Sequence, residues 1–214
     1  MNPHRTHRLA LGPVIVLVAV AAVLPEASQS RVVDRVVAVV GTRMITLSDV
    51  KAATLLGLLA DPPAAEADLI ERLIDRELMR VEVDRYSPPP PPDAAVDEAV
   101  ARLAARFPSA EAFAAAARST AMTPERLRSH VRDDLRIARY LDDRFGAAAT
   151  PTDDEVQRSY QERATELAVG GRVPPFAEVE PEVRAHLIAA RRERLIGEWL
   201  AGLKRRADIR RPAG

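Results

Sequence analysis

Few side chains in this 214-residue sequence could carry acid–base or metal chemistry, and they are widely separated. The four histidines are His4, His7, His130 and His186. The last two each have arginines nearby on a predicted helix, which is typical of solvated surface residues. The sequence has no cysteine and no His-x-x-x-His or Glu-x-x-His arrangement of the kind that holds zinc. We therefore expect no metal site and no thiol chemistry.

Two pairs of adjacent carboxylates, Asp133-Asp134 and Asp153-Asp154, are the remaining candidates for general acid–base work. The first pair lies on a predicted helix, and the second belongs to Thr152-Asp153-Asp154-Glu155, which has the form of a helix-capping box. No Gly-x-Ser-x-Gly elbow and no phosphate-binding loop is present. A helix surface and a helix cap explain these carboxylates, so we expect no catalytic residues and no cofactor.

The first 30 residues have the pattern of a secretory signal peptide. Arg5 and Arg8 precede an apolar run from Leu9 to Leu24, and small polar residues follow it. A retained membrane anchor is the alternative, although the run is short for a span of about 20 residues and Gly12-Pro13 interrupts it. We expect residues 1–30 to be a signal peptide and residues 31–214 to form the mature protein.

The mature protein defined in this way is nearly neutral. The whole sequence has 31 basic and 31 acidic residues, and removal of Arg5, Arg8 and Glu26 with the signal peptide leaves 29 and 30. A neutral balance does not favour nucleic-acid binding. Without cysteine, stability must come from burial of a core rather than from disulfides, and this length suits one ordinary domain.

The element that organises the predicted fold is the stretch from Glu180 to Arg211. Pro181 stands where a proline is tolerated in the first turn of a helix, and no further proline follows before Pro212. Residues 183–203 therefore predict one long helix, and Ala207–Arg210 predicts a short strand after it. We expect Trp199 of this helix to lie in the core, against the helices that begin at Ser48 and Asp68.

A valine-rich strand, a turn and a returning strand are predicted near the start of the mature chain, at residues 32–40, 41–43 and 44–46. An isolated hairpin is unstable, so we expect the strand at 207–210 to join it.

Six further helices are predicted, with starts at Ser48, Asp68, Asp93, Ser109, Thr123 and Thr152. The first is expected to end at Asp61-Pro62-Pro63 and the fifth at Gly146. The proline run after Ser87 predicts a polyproline II spacer. The fold class is mainly α, with about seven helices and a small sheet of the N-terminal hairpin and the C-terminal strand.

Short motifs follow one another along the chain, namely Val33-Asp34-Arg35-Val36, Ala38–Gly41, Ile45–Val50, Leu69–Leu78, Thr152–Val156, Phe176–Val179, Val183-Arg184, Trp199-Leu200 and Ala207–Ile209. Taken together, these motifs resemble the SurA family of periplasmic chaperones. The resemblance implies a SurA/trigger-factor-like peptide-binding domain, composed of residues 31–166 and a closing helix and strand at 176–211. Fuller family members carry one or two parvulin-type prolyl isomerase domains before the closing segment. Here only Gln161–Pro175 occupies that place, far fewer residues than a domain needs.

The resemblance implies an ATP-independent periplasmic chaperone, exported by its signal peptide, that binds unfolded outer-membrane or secreted proteins. The residues agree with this, since helices with apolar stripes can present a surface to an unfolded chain. Our candidates for that surface are Leu55, Leu59, Phe107, Phe113 and Met122, each of which is alternatively a plain core residue. Two other functions stay open: a prolyl isomerase of the SurA/parvulin type whose catalytic domain is cryptic or supplied by a partner, and an adaptor dedicated to one envelope protein.

Overall fold

The computed structural model describes residues 34–59, 62–63, 65–168 and 171–212. The predicted signal peptide, residues 1–30, lies outside this part of the chain. The described residues form β1 Val36–Val40, β2 Arg43–Thr46, α1 Leu47–Leu55, α2 Glu66–Tyr86, α3 Asp93–Ala104, α4 Ala110–Ser119, α5 Pro124–Ala149, α6 Asp153–Glu162, α7 Phe176–Arg206 and β3 Ile209–Arg210. The prediction of a mainly α fold with seven helices and a small sheet is confirmed. None of the helices in these ranges is long and apolar enough to span a membrane.

The three strands form one antiparallel sheet in the order β2-β1-β3. β3 pairs with β1 through Val40 opposite Ile209, so the predicted union of the hairpin with the C-terminal strand is confirmed. β3 has only two residues, because Ala207 still caps the preceding helix. Gly41 at the hairpin turn has a φ of 59°, which glycine adopts without strain, and its N–H donates to the Asp208 carbonyl at 2.9 Å. The last strand is therefore paired with β1, and Asp208 just before it is bonded to the hairpin turn.

Deletion of residues 207–214 is expected to lower the melting temperature by about 5–10 °C. The deletion removes Ala207 and Ile209, which pack on the core of the sheet, and the ion pair between Arg211 and Glu71. Circular dichroism at 222 nm measures the transition, and a truncation of residues 212–214 is the control. An unchanged melting curve for the longer deletion would show that the C-terminal strand contributes nothing.

The first helix begins and ends earlier than the sequence predicts. Thr46, not Ser48, is its cap: the Thr46 hydroxyl accepts from the Asp49 N–H, and the Asp49 carboxylate accepts from the Thr46 N–H at 2.9 Å. Ser48 is already in the first turn, where this reciprocal pair leaves it no capping role. The helix stops before Gly57, whose φ of 62° reverses the chain well before the predicted end at Asp61-Pro62-Pro63.

The long helix begins at Phe176 rather than at Glu180, so Pro181 lies inside it. Packing against α6 explains the earlier start. The Tyr160 hydroxyl donates to the Pro174 carbonyl at 2.7 Å, and the rings of Tyr160 and Phe176 lie 5.3 Å apart. Pro181 is on the exposed side, where water can satisfy the carbonyl that lacks its helical partner.

The remaining helix ends follow local chemistry. Ser109, Thr123 and Thr152 cap α4, α5 and α6 as predicted, and Thr152 forms the full capping box with Glu155. Asp93 lies in the first turn of α3 rather than at its cap, because Pro92 occupies the cap position. The predicted stop at Gly146 is wrong. Gly146 keeps a helical conformation and α5 ends at Ala149, since Pro151 forces Thr150 into an extended one.

The core of the described residues includes three groups of buried side chains that pack together. The first joins the sheet to α1, α2 and α7, the second joins α1 to α3 and α5, and the third joins α2 to α5. Trp199 is only partly buried and packs against the first and third groups. Its ring contacts are with Tyr140 and Phe145 of α5, at 5.8 and 5.7 Å. The predicted packing of Trp199 on the core beside α1 and α2 is confirmed in part, since Trp199 is only partly buried and its aromatic neighbours come from α5.

An ion pair between Glu155 and Arg191, at 2.5 Å, joins α6 to α7. The Arg191 guanidinium, together with the Thr152 N–H at the helix cap, lowers the pKa of Glu155 from 4.5 to about 2. A lowered pKa adds stability that is complete above about pH 4.5 and is lost as the pH falls through about 2. The closing helix is thus held in part by a carboxylate that resists protonation.

Glu155→Gln is expected to reduce stability at pH 7 and to flatten the loss of stability between about pH 4.5 and 2. Urea unfolding at pH 7, 4 and 2 measures both effects. Glu182→Gln, at an exposed position of α7 without an ion pair in the described structure, is the matched control. Parallel stability–pH curves for Glu155→Gln and the unsubstituted protein would contradict the assignment.

Candidate binding site

An apolar depression between α2, α5 and α7 is called here the wide groove. Its volume is about 440 Å³, within the usual range of ligand-binding clefts. Its apolar lining includes Leu59, Met79, Ile137, Leu141, Ile196 and Leu200. Leu141 and Leu200 directly follow Tyr140 and Trp199, whose rings join α5 to α7. The aromatic contact fixes the two helices, and the neighbouring leucines line the space beside it.

The charged side chains at the rim of the wide groove are paired with one another or with neighbours. Arg76 donates to Asp134 at 2.7 Å and to the His130 carbonyl at 3.0 Å. Asp75 pairs with Lys204 at 2.5 Å, although burial raises the pKa of its carboxyl. Arg192 pairs with Asp142 of α5. Because these charges are balanced, the groove offers an apolar floor with little preference for one sign of charge.

A second apolar depression, called here the narrow groove, lies between α3, α4 and α5. Its volume is about 280 Å³, and its apolar lining includes Val100, Phe113, Ala117, Met122 and Leu127. α4 has no buried residue and rests on this region only through one face, so a space remains beside it. This groove is smaller than the wide one and is flanked by arginines.

A polar cleft of about 330 Å³ lies between β2, α2 and α5. Glu77 is buried there and accepts two hydrogen bonds from Arg80, at 2.6 and 2.9 Å, which raise the pKa of the guanidinium. Burial raises the pKa of Asp133 at its edge. A small recess next to the cleft shares Met122 with the narrow groove and Leu58 with the wide groove. The three depressions therefore adjoin one another along α5.

The side chains that could do acid–base chemistry are either exposed or lie next to a charged neighbour with which they stabilise the fold. His130 is half-buried rather than solvated, with its Nε2 atom 3.3 Å from the Asp134 carboxylate, because α5 turns this side toward α2. His186 is exposed on α7. Asp153 pairs with Arg184, in keeping with a helix-end role. Among the described residues, no three His, Asp or Glu side chains are grouped so that they could hold a metal ion.

The five predicted binding residues do not come together at one place. Leu59 lines the wide groove, whereas Phe113 and Met122 line the narrow groove. Phe107 packs on Phe113 with ring centres 5.2 Å apart and lines neither groove. Leu55 is 51% exposed on the surface and also lies outside both grooves. Met122 is 8% exposed, so most of its surface is in the core.

Sequence reasoning missed most of the wide groove, which depends on α5 and α7. Ile137, Leu141, Ile196 and Leu200 lie in helical apolar stripes, and those stripes are the signal that the sequence offers. A stripe does not reveal which of its members faces a partner helix and which faces a gap. That distinction needs the angle between the helices, which the side chains at the contact determine.

Comparison of the sequence with known proteins finds similarity to a chaperone. No protein-family model matches it. It is similar to a protein of Chromobacterium violaceum named Chaperone SurA, with 30% identity over 168 residues that cover 70% of this chain and 37% of that protein. The chain therefore spans little more than a third of the length of this relative. The similarity supports a SurA-like protein with a chaperone-like role in general.

Proposed function

We propose that the chain is an ATP-independent chaperone that holds unfolded outer-membrane or secreted polypeptides in the wide groove. The observation that carries this proposal is the apolar floor between α2, α5 and α7, in a chain similar to a SurA chaperone. The floor can take apolar side chains of many sequences, since its paired rim charges reject neither sign. A chaperone for diverse clients needs a site of this kind.

Binding at the groove is expected to be weak and reversible. Burial of apolar surface contributes about 25 cal/mol per Å², and ordering an unfolded segment costs a large part of that gain. A holdase benefits from this balance, because a client must be released without an input of energy. Several weak contacts along one client chain raise the effective affinity.

We place this activity in the periplasm. The support is the signal-peptide pattern of residues 1–30, which lie outside the described structure, together with the likeness to a SurA chaperone. The near-neutral composition favours polypeptide clients over nucleic acids, and no metal or cofactor is part of the proposal. The membrane is involved only while the signal peptide directs export.

We also propose that the chain does not catalyse prolyl isomerisation. α6 ends at Glu162 and α7 begins at Phe176, so the place of a parvulin domain holds only a short connection. A protease-coupled assay on a proline peptide tests this, and activity that survives repurification would favour the isomerase alternative. Capture of a single dominant envelope protein, in place of many, would favour the adaptor.

Ala138→Gln tests the groove itself. Ala138 is exposed on α5 and lines the wide groove, so a longer polar side chain occupies the space without removing any core contact. We expect about five-fold more of this variant to be required for half-suppression of client aggregation, which corresponds to about 1 kcal/mol of binding. Light scattering of a client diluted from urea measures this.

The matched control is Ala148→Gln, at an exposed position of the same helix that lines neither groove. It should suppress aggregation as well as the unsubstituted protein. Equal suppression by the two variants would remove the wide groove from the proposal.

A further inference from the structure

The two apolar grooves differ in charge. The wide groove has acidic and basic residues at its rim, joined in pairs such as Arg76 with Asp134 and Lys204 with Asp75. Among the described residues that line the narrow groove, two are ionisable, Arg118 and Arg128, and none is acidic. An apolar depression with cations alone at its edge favours a ligand that is both apolar and anionic.

The two arginines are not equivalent. Arg128 is paired with Asp97 and lies 3.7 Å from Asp93, both on α3, so its charge is already balanced. Arg118 lies in the last turn of α4 and is exposed, and its guanidinium makes no hydrogen bond or ion pair with any other described residue. One guanidinium at the edge of the groove is therefore free to pair with an incoming anion.

We infer that the narrow groove selects client segments in which an acidic side chain is adjacent to an apolar one. The apolar side chain fills the space beside Phe113, Met122 and Leu127, and the carboxylate pairs with Arg118. A guanidinium forms two parallel hydrogen bonds with a carboxylate, and a neighbouring apolar wall reduces the screening of this pair by water. The inference rests on the proposed chaperone function, since it names a class of client sequence.

An acidic side chain is a better source of this carboxylate than a chain terminus. An unfolded client has one C-terminal carboxylate but many aspartates and glutamates, so side chains supply nearly all of the matching sites. The inference also separates the roles of the two grooves. The wide groove holds apolar segments whatever the sign of the charges beside them, and the narrow groove adds a preference for apolar segments with an acidic neighbour.

The test uses four fluorescein-labelled peptides with one leucine-rich sequence. Three are amidated at the C-terminus and carry Glu, Gln or Lys next to a central leucine, and the fourth carries Gln and a free C-terminal carboxylate. Fluorescence anisotropy with the full chain should show about five-fold tighter binding of the Glu peptide than of the Gln peptide, with the Lys peptide weakest. Salt at about 0.5 M should remove this preference.

Arg118→Gln should bind the Glu and Gln peptides equally, and Arg118→Lys should retain part of the preference. The control is Arg158→Gln, at an exposed position of α6 that lines neither groove and whose guanidinium also has no partner in the described structure. It should retain the five-fold preference. Equal loss in Arg118→Gln and Arg158→Gln would overturn the inference, because the effect would then follow net charge alone.

Three further outcomes would also overturn it. The first is equal binding of the Glu and Gln peptides, and the second is a preference for the free C-terminus over the Glu side chain. The third is displacement of the Glu peptide by decanoate at lower concentrations than the unlabelled peptide requires, which would assign the groove to anionic amphiphiles. In each case suppression of client aggregation is measured on the same protein. Suppression without a Glu preference refutes the inference alone, whereas loss of both refutes the proposed function as well.

Discussion

Replacement of Trp199 by alanine is expected to lower the free energy of unfolding by about 3 kcal/mol. The ring lies against Tyr140 and Phe145, and the Arg144 guanidinium is 5.9 Å from its centre. These contacts connect α7 to α5, and Trp199 also packs on the core below the sheet. The loss is at the lower end of the range for large aromatic residues because Trp199 is only partly buried.

Urea unfolding followed by circular dichroism measures this loss, since the variant lacks the only tryptophan of the chain. Trp199→Phe keeps a ring in place and should cost about 1 kcal/mol. A loss below about 1 kcal/mol for the alanine variant would show that the aromatic contacts do not hold α7 to α5. The emission of native Trp199 should also be blue-shifted relative to free tryptophan in water.

The elements that could be predicted are those with a local cause. Thr152 and Glu155 form a reciprocal cap within four residues, and Ser109 and Thr123 each cap their own helix. The hairpin follows from a valine-rich run and a glycine with positive φ. The partner of the last strand also followed from the sequence, because Ile209 had no other place to pack.

The errors arose where a distant contact outweighed a local signal. Pro181 looks like a helix start, but the contact of Phe176 with Tyr160 extends the helix past it. Gly146 looks like a helix stop, but its backbone does not adopt the left-handed conformation of a helix end. The helix α5 continues to Ala149, and Pro151 then ends it. His130 lies among arginines in the sequence and yet faces Asp134 and α2.

The candidate binding site was the least predictable part. A groove is the space that remains where two helices do not meet, and helix periodicity describes only the helices. Leu59 lines the wide groove, whereas Leu55 on the preceding turn lines neither groove, and their predicted contact with clients stays a prediction. Whether the Arg118 guanidinium has an ion-pair partner likewise depends on the folded structure, because folding determines which arginines lie next to a carboxylate.

The purified chain is expected to suppress client aggregation strongly without ATP. In the proposed function, the apolar lining of the wide groove accepts a client without a change driven by nucleotide. Its rim charges are paired, so suppression should change little when salt is raised to about 0.5 M. This distinguishes the overall holding activity from the salt-sensitive preference proposed for the narrow groove.

The central claim is tested most directly by light scattering of an unfolded outer-membrane β-barrel protein diluted from urea into ATP-free buffer. A several-fold molar excess of the chain should reduce the scattering by more than half, and an inert protein of similar size and net charge should not. Scattering that is unchanged at about ten-fold excess would contradict a chaperone function for this chain.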